Sequence, residues 1–440
     1  MADVYLPYKW KPRAYQLPMW EFLERNGKRG VAVWHRRAGK DLFSINWCAV
    51  AAHQRVGLYW HLLPTYNQGR KIVWNGFTKE GRRFIDAFPK ELVAAKNDTD
   101  MRITLRNGSI YQVVGTDDSD RLVGTNPVGC VFSEYSLQDP KAWDIIRPIL
   151  AENGGWALFI YTPRGHNHGH TMFKMAVENK KWHAKVLKAG SGPDATKRDD
   201  GTPVISDEVI NDERESGMSE ALVDQEFYCS FDAPVVGSYY GTEMLKMLSD
   251  GRQCPVLVDP KLPVNTAWDL GMDDAMAIVF FQLSHESIRI IDYYENSGEG
   301  LEHYFKVLQK RDYYYGEHLA PHDIKVRELG TGKSRLEVAR SLGIRFRIVA
   351  KQSFEDGVQA VRDALPRTYI DTVRCTRIID ALCQYHKAFN EDTKTFSSGP
   401  DHDWTSHPCD AVRIMAQGIR ERSPYKKAPQ EKAESDYEVM

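Results

Sequence analysis

The sequence has no run approaching the roughly 18 apolar residues that a membrane-spanning helix needs. Its first residues, Met-Ala-Asp-Val-Tyr-Leu-Pro, show no basic stretch followed by an apolar one, so no secretory signal is read there. The seven cysteines (Cys48, Cys130, Cys229, Cys254, Cys375, Cys383 and Cys409) include no Cys-x-x-Cys pair. Odd in number and scattered, they are expected as buried free thiols in a reducing, cytoplasmic compartment, not as a disulfide framework or zinc site. An excess of either charge is also missing: 58 Lys and Arg stand against 60 Asp and Glu in 440 residues. That balance excludes a uniformly basic nucleic-acid coat protein. With 42% hydrophobic and 27% charged residues, disorder over the whole chain is excluded as well.

The neutral total hides a pattern. Residues 1–200 carry 30 basic and 20 acidic side chains, net +10, and residues 201–300 carry 5 and 19, net −14. Residues 301–400 are mildly basic at net +4, and the last forty carry net −2. A basic block of this size suits transient contacts to a phosphate backbone.

Apolar strand-like runs at 30–34, 56–63, 110–114, 128–132 and 157–161 alternate with longer amphipathic stretches, which predicts a mainly parallel α/β sheet. Residues 190–218 are rich in Gly, Pro, Ser and acids and read as a long loop or lid edge, with a helix expected over 219–231. Prolines and glycines between 233 and 262 mark a linker. Beyond it, runs at 266–270, 276–283 and 287–294 predict an antiparallel meander opening a second α/β domain over 263–422. The charged tail from 423 is expected to be disordered.

Trp34-His35-Arg36-Arg37-Ala38-Gly39-Lys40-Asp41 follows the first strand and precedes a helix expected over 42–52. Strand, Gly-Lys loop and helix form a phosphate cradle: backbone N–H groups face the anion and the lysine reaches the β- and γ-phosphates. Trp34 stands where a first glycine is usual, and Asp41 replaces the Ser or Thr that holds Mg²⁺. Upstream, Tyr15-Gln16 supplies an aromatic ring and an amide suited to adenine. Val128–Glu134 is an apolar strand ending in an acid placed to orient the attacking water, with Ser133 where an aspartate usually assists Mg²⁺. Thr162-Pro163-Arg164-Gly165 closes another strand and is placed to couple hydrolysis to movement.

The second half offers carboxylates. Asp269 lies in an apolar strand, where an acid is costly unless a metal or partner compensates it. Strand alternation puts Trp268 and Leu270 on one face, Ala267 and Asp269 on the other. Asp323 is expected at a strand end and Asp410 on a helix starting near Pro408. Three such acids, if convergent, hold two Mg²⁺ or Mn²⁺ ions roughly 4 Å apart for phosphodiester cleavage. Asp273, Asp274, His322 and His407 are candidates for a supporting role.

The ordered set Tyr-Gln, Arg-Arg-Ala-Gly-Lys, Phe-Ser-Glu and Thr-Pro-Arg-Gly, followed by Trp-Asp-Leu-Gly, Pro-His-Asp and Ser-His-Pro-x-Asp-Ala-Val-Arg, resembles the large terminase subunit of tailed bacteriophages over about residues 10–420. The resemblance implies an N-terminal P-loop (ASCE, helicase-like) ATPase domain over 1–232 and a C-terminal ribonuclease-H-like nuclease domain. It implies that Gln16, Arg36, Arg37, Ala38, Gly39, Lys40 and Asp41 bind ATP, that Glu134 is the catalytic acid, and that Arg121 completes a neighbour's site. Thr162, Pro163, Arg164 and Gly165 would couple, and Asp269, Asp323 and Asp410 would ligate metal. It implies a motor that pumps double-stranded DNA into a procapsid and cuts it at the start and end of packaging. ATP and Mg²⁺, or Mn²⁺ at the nuclease, are the expected cofactors. The expected partners are a portal protein, a small terminase subunit and further copies of the chain in a ring of five, in the host cytoplasm and transiently at the portal. A helicase–nuclease of repair or defence would share the loop and the acids, but needs a second motor motif set where this chain starts its meander. A non-catalytic DNA-binding or assembly protein would fit the departures at Asp41 and Ser133, but not the retained Lys40, Glu134 and three aspartates.

Overall fold

The computed structural model describes residues 5–117, 122–232, 237–271, 276–284, 286–326, 334–390 and 395–422. Arg121, Asp273, Asp274 and the tail from 423 lie outside them. Two compact units emerge, one of Met1–Leu245 with Asp380–Thr405, the other of Lys246–Ile379 with Ser406–Met440.

The first unit is built on eight strands: β1 (Arg29–Trp34), β2 (Leu58–Leu63), β3 (Val93–Asn97), β4 (Arg102–Leu105), β5 (Ile110–Gly115), β6 (Pro127–Ser133), β7 (Trp156–Tyr161) and β8 (Trp182–Leu187). They pair in the order β3-β4-β5-β2-β6-β7-β1-β8. From β5 to β8 every pairing is parallel, and β3 and β4 add an antiparallel edge. Both faces of the sheet are covered, so its central strands read as continuous apolar runs. Along β1, Ala32 and Trp34 enter one core with Phe43, Trp47 and Tyr59. Val31 and Val33 enter the opposite core with Phe132, Trp143 and Phe159. Gly129 in β6 is set by this packing: a Cβ there would lie 2.5 Å from the Trp156 ring and 2.7 Å from Tyr59.

Strands β3 and β8 at the two edges, and β4 next to one of them, fall outside the sequence expectation. They lack long apolar runs because an edge is partly solvated, and Lys96 and Lys185 sit on them as edge charges do. Within the lid region, helices Asp207–Glu215 and Glu220–Glu226 close a small core of Ala189, Ile210, Val223 and Phe227. A helix at Gly241–Ser249 occupies part of the stretch read as linker.

The second unit holds β9 (Gln253–Cys254), β10 (Val264–Asp269), β11 (Met276–Leu283), β12 (Ile288–Asn296), β13 (Tyr315–Ala320), β14 (Phe346–Ile348) and β15 (Thr368–Asp371), ordered β14-β13-β10-β11-β12-β15-β9. The meander β10-β11-β12 is antiparallel and the flanking pairings are parallel. Trp268 and Leu270 share a core with Val264, Ile278 and Phe280, as alternation requires. The hairpin β16 (Lys387–Asn390) and β17 (Thr395–Pro400) groups with the first unit. All seven cysteines are free, six of them buried. Among the described residues no helix is long and apolar enough to cross a membrane.

Candidate functional site

Three neighbouring parallel strands, β6, β7 and β1, end side by side, and each carboxyl end carries one piece of the predicted nucleotide site. In open α/β sheets ligands bind in the crevice beyond those ends. β1 runs into the loop 35–39, where Arg37 (φ 70°) and Gly39 (φ 80°) are left-handed. The helix Lys40–Gln54 starts directly after it, with first-turn N–H groups that have no intrahelical acceptor.

Lys40 is buried, and its Nζ donates to Trp34 O (3.0 Å) and Thr162 Oγ1 (3.1 Å). Among the described residues no carboxylate forms an ion pair with it. A buried ammonium held only by neutral acceptors is an anion site in waiting. Tyr15 OH and Gln16 Nε2 both donate to Ala38 O, each at 3.0 Å. Gln16 Oε1 accepts from Arg13 N, so these two side chains hold the loop from behind. Burial above all pulls His35 down to about 4, the backbone carbonyl of Arg36 opposing. Its neutral ring bridges Arg36 O and Thr196 Oγ1, at 2.6 Å each, and so ties the loop to the lid segment.

Glu134 follows β6 in a left-handed conformation (φ 54°, ψ 43°), which non-glycine residues adopt rarely and chiefly at functional sites. Its Oε2 is buried with no hydrogen-bond partner among the described residues. Burial pushes its carboxyl above the usual range, Lys40 and Arg164 opposing and Asp41 and Glu226 adding. Beside it, Ser133 Oγ donates to Asp41 Oδ1 at 2.6 Å.

The turn at Thr162–Gly165 is braced to the residues after Glu134. Ser136 Oγ donates to Thr162 O (2.8 Å), and Asn167 Nδ2 donates to Ser136 O (2.9 Å). Arg164 Nη1 donates to Glu226 Oε1 at 2.5 Å, while Arg36 Nη1 lies 3.7 Å from Glu226 Oε2. Burial alone would raise the Glu226 carboxyl, but Arg164 first, then Arg36 and Gln225, hold it below its usual range. Glu226, on the lid helix, was not anticipated. No local pattern marks it, because its arginine partners stand 62 residues away or more. Arg37 is exposed beside Arg36. Pro163 and Gly165 shape the turn, Gly165 with φ 70°.

In the second unit, Asp269 closes β10, and its Oδ2 accepts from His407 Nδ1 at 2.8 Å. His407 and Asp410 stand one turn apart at the start of the Ser406–Arg422 helix, and Asp410 Oδ1 lies 3.1 Å from Arg413 Nη2. Asp323 is exposed on the short turn His322–Lys325, just past β13. β10 and β13 are parallel neighbours, with Ala267 opposite Leu319, so both acids belong to the same end of the sheet. Among the described residues, however, no three His, Cys, Asp or Glu side chains converge closely enough to hold a metal ion. Asp269 and His407 are brought together. Glu295 went unflagged. It is in register with Ala277, itself in register with Asp269, and Arg377 Nε lies 2.8 Å from its Oε1. An acid closing an apolar strand, the signal used for Asp269, applied to it equally.

Both units are α/β folds, the first on a mostly parallel sheet with a Gly-Lys loop after β1, the second on a mixed sheet with an antiparallel meander. No family model matches the chain. The "Terminase, large subunit" of Escherichia phage T5 is 23% identical over 337 residues, covering 74% of this chain and 73% of that protein. The protein of the same name from Thermus virus P23-45 is 26% identical over 275 residues, covering 57% and 54%. Among solved structures, the large terminase of a thermophilic bacteriophage in complex with ADP matches 93% of this chain and 99% of its own at 14% identity, with a TM-score of 0.41. The longer sequence match exceeds either unit and so takes in parts of both. The chain is similar in sequence to these large terminase subunits of phages.

Proposed function

We propose that the chain is the motor of viral DNA packaging. Its first unit hydrolyses ATP to drive double-stranded DNA into a procapsid, and its second unit cuts concatemeric DNA when packaging starts and ends. The observation that carries the reading is Glu134: a buried, unpartnered carboxylate oxygen on a left-handed residue, at the end of the strand next but one to the phosphate loop. Such a carboxylate is placed to orient a water against a γ-phosphate anchored by Lys40 and the loop N–H groups. Mg²⁺ arriving with the nucleotide would neutralise phosphate charge. Arg164, shared between the pull of Glu134 and its hydrogen bond to Glu226, passes changes at the site to the lid helix. Arg121 in trans remains part of the proposal from the family resemblance alone.

The cutting half rests on donor chemistry, not on metal geometry. Asp269 at the end of β10, Asp323 past β13 and Asp410 on the helix Ser406–Arg422 would supply hard oxygen ligands, with His407 orienting Asp269. Divalent ions there would activate water and stabilise the leaving oxygen. A ring of this chain on the portal, a small terminase subunit that selects DNA, and residence in the host cytoplasm complete the proposal.

The test uses the full chain. Lys40→Ala is expected to lower ATP turnover at least ~100-fold, the scale of losing one positioned charge-stabilising group, while divalent-dependent DNA cutting persists. Asp269→Ala is expected to abolish cutting and leave ATP turnover. Loss of both activities in either folded variant would overturn the two-site reading.

A further inference from the structure

In P-loop NTPases the Ser or Thr directly after the loop lysine and an Asp near the end of the acidic strand together hold Mg²⁺. This chain departs from both, with Asp41 after Lys40 and Ser133 before Glu134. Taken singly, each is a lost ligand. In the fold they face each other, Ser133 Oγ donating to Asp41 Oδ1 at 2.6 Å. The pair still contains one carboxylate and one hydroxyl, with one negative charge, on the two elements that ordinarily carry them.

We infer that the two ligand types have exchanged elements: Asp41, from the helix, supplies the carboxylate that binds the nucleotide's divalent cation, and Ser133, from the strand, supplies the hydroxyl that orients it. The inference rests on the ATPase reading and sharpens it.

Four features fit. Asp41 stands in the first turn of a fifteen-residue helix, where the helix dipole favours an anion. Its Oδ1 is braced by the Ser133 hydrogen bond, and His61 Nε2 stands 3.5 Å from it. His61 is itself steadied by Tyr111 OH, 3.0 Å from Nδ1. Among the described residues Oδ2 is left without a protein partner, on a side chain that is 19% exposed. A braced carboxylate with one open oxygen is a hard ligand of the kind Mg²⁺ takes. Ser133 is fully buried, so its hydroxyl is committed to this one acceptor. A degenerate site would have no reason to keep the charge and the hydrogen bond while moving both.

The test is a double-mutant cycle on the full chain: the unaltered protein, Asp41→Ser, Ser133→Asp and the doubly exchanged variant that restores the usual arrangement. The readout is affinity for a fluorescent ADP analogue, in excess Mg²⁺ and in EDTA, with thermal melting to show that each variant is folded. Each single variant is expected to lose about tenfold or more of the Mg²⁺-dependent gain in affinity, and the double variant to recover to within about threefold, a strong coupling for residues in contact. Affinity in EDTA should be the same in all four. Asp41→Asn, which keeps the shape and an acceptor for Ser133, should also lose the Mg²⁺ response without a change in melting. A double variant no better than its two losses combined, or an Asp41→Asn protein with an intact Mg²⁺ response, overturns the exchange and leaves the ATPase reading standing. Absence of nucleotide binding in the unaltered protein overturns both.

Discussion

Lys40 and Glu134 are both kept in states that cost stability, which is how a site waiting for its substrate looks. The Lys40 charge is satisfied only by neutral oxygens, and the Glu134 carboxylate is desolvated with one oxygen unpaired. Because burial raises the Glu134 carboxyl in the fold, the folded state holds that proton more tightly than the unfolded chain does. The group therefore favours folding below the ordinary carboxylate range, and its cost grows as pH rises through the raised value and stays in full above it. Glu134→Gln is expected to abolish ATP hydrolysis and raise stability at neutral pH by about 1 kcal/mol or more, the scale of one unsatisfied buried polar atom. Melting curves check this, since the gain should shrink toward about pH 4, where the ordinary glutamate is half protonated. On the same grounds, the acid limb of ATP turnover should lie above the usual carboxylate range.

At the scale of elements, strand ends do the positioning. β1, β7 and β6 lie side by side, so loop, coupling turn and acid meet although Lys40 lies 94 residues before Glu134 and 122 before Thr162. The acid and the phosphate loop were legible because each is a local pattern on an apolar strand. Strands β3, β4 and β8, at or next to the sheet's edges, were not, because partial solvation removes the apolar run that marks a central strand. In the second unit Asp371 shows an acid with a purely structural task. It ends β15 and accepts N–H bonds from Val256 (2.7 Å), Val373 (3.0 Å) and Arg374 (2.7 Å). Burial alone would raise its carboxyl, but those backbone donors first, and then Arg374, hold it below the usual range. Its stabilisation is thus present above the ordinary aspartate value and is lost as pH falls through the lower folded value. Asp371→Ala is expected to cost about 2 kcal/mol, since it strands one buried and two partly buried donors. Chemical denaturation at neutral pH checks this. A loss under about 0.5 kcal/mol, the level of an ordinary surface change, would contradict the clamp.

For the whole molecule, the net charge of −2 conceals a block of net +10 followed by one of net −14. The basic block lies within the unit that holds the phosphate loop. If that unit grips DNA, affinity should fall linearly with salt on logarithmic axes, with a slope of about −0.9 per phosphate neutralised. Binding measured across a salt series checks this, and a flat response would remove electrostatic grip from the proposal. The acidic block contains Glu226 and Asp269, which pair with Arg164 and His407 and so are spent inside the protein.

By itself the sequence determined the α/β class, the phosphate loop, the acid after β6 and the meander bearing Asp269. These depend on local periodicity and on short motifs, which any fold of this class would display. The tertiary structure alone decided which distant groups answer them. It paired Glu226 with Arg164, His407 with Asp269 and Ser133 with Asp41. Each of those pairs is set by which strands are neighbours and which way a helix enters, and neither is written in the spacing of residues along the chain. The Asp41–Ser133 contact shows the difference most plainly: two apparent losses in the sequence are one hydrogen bond in space.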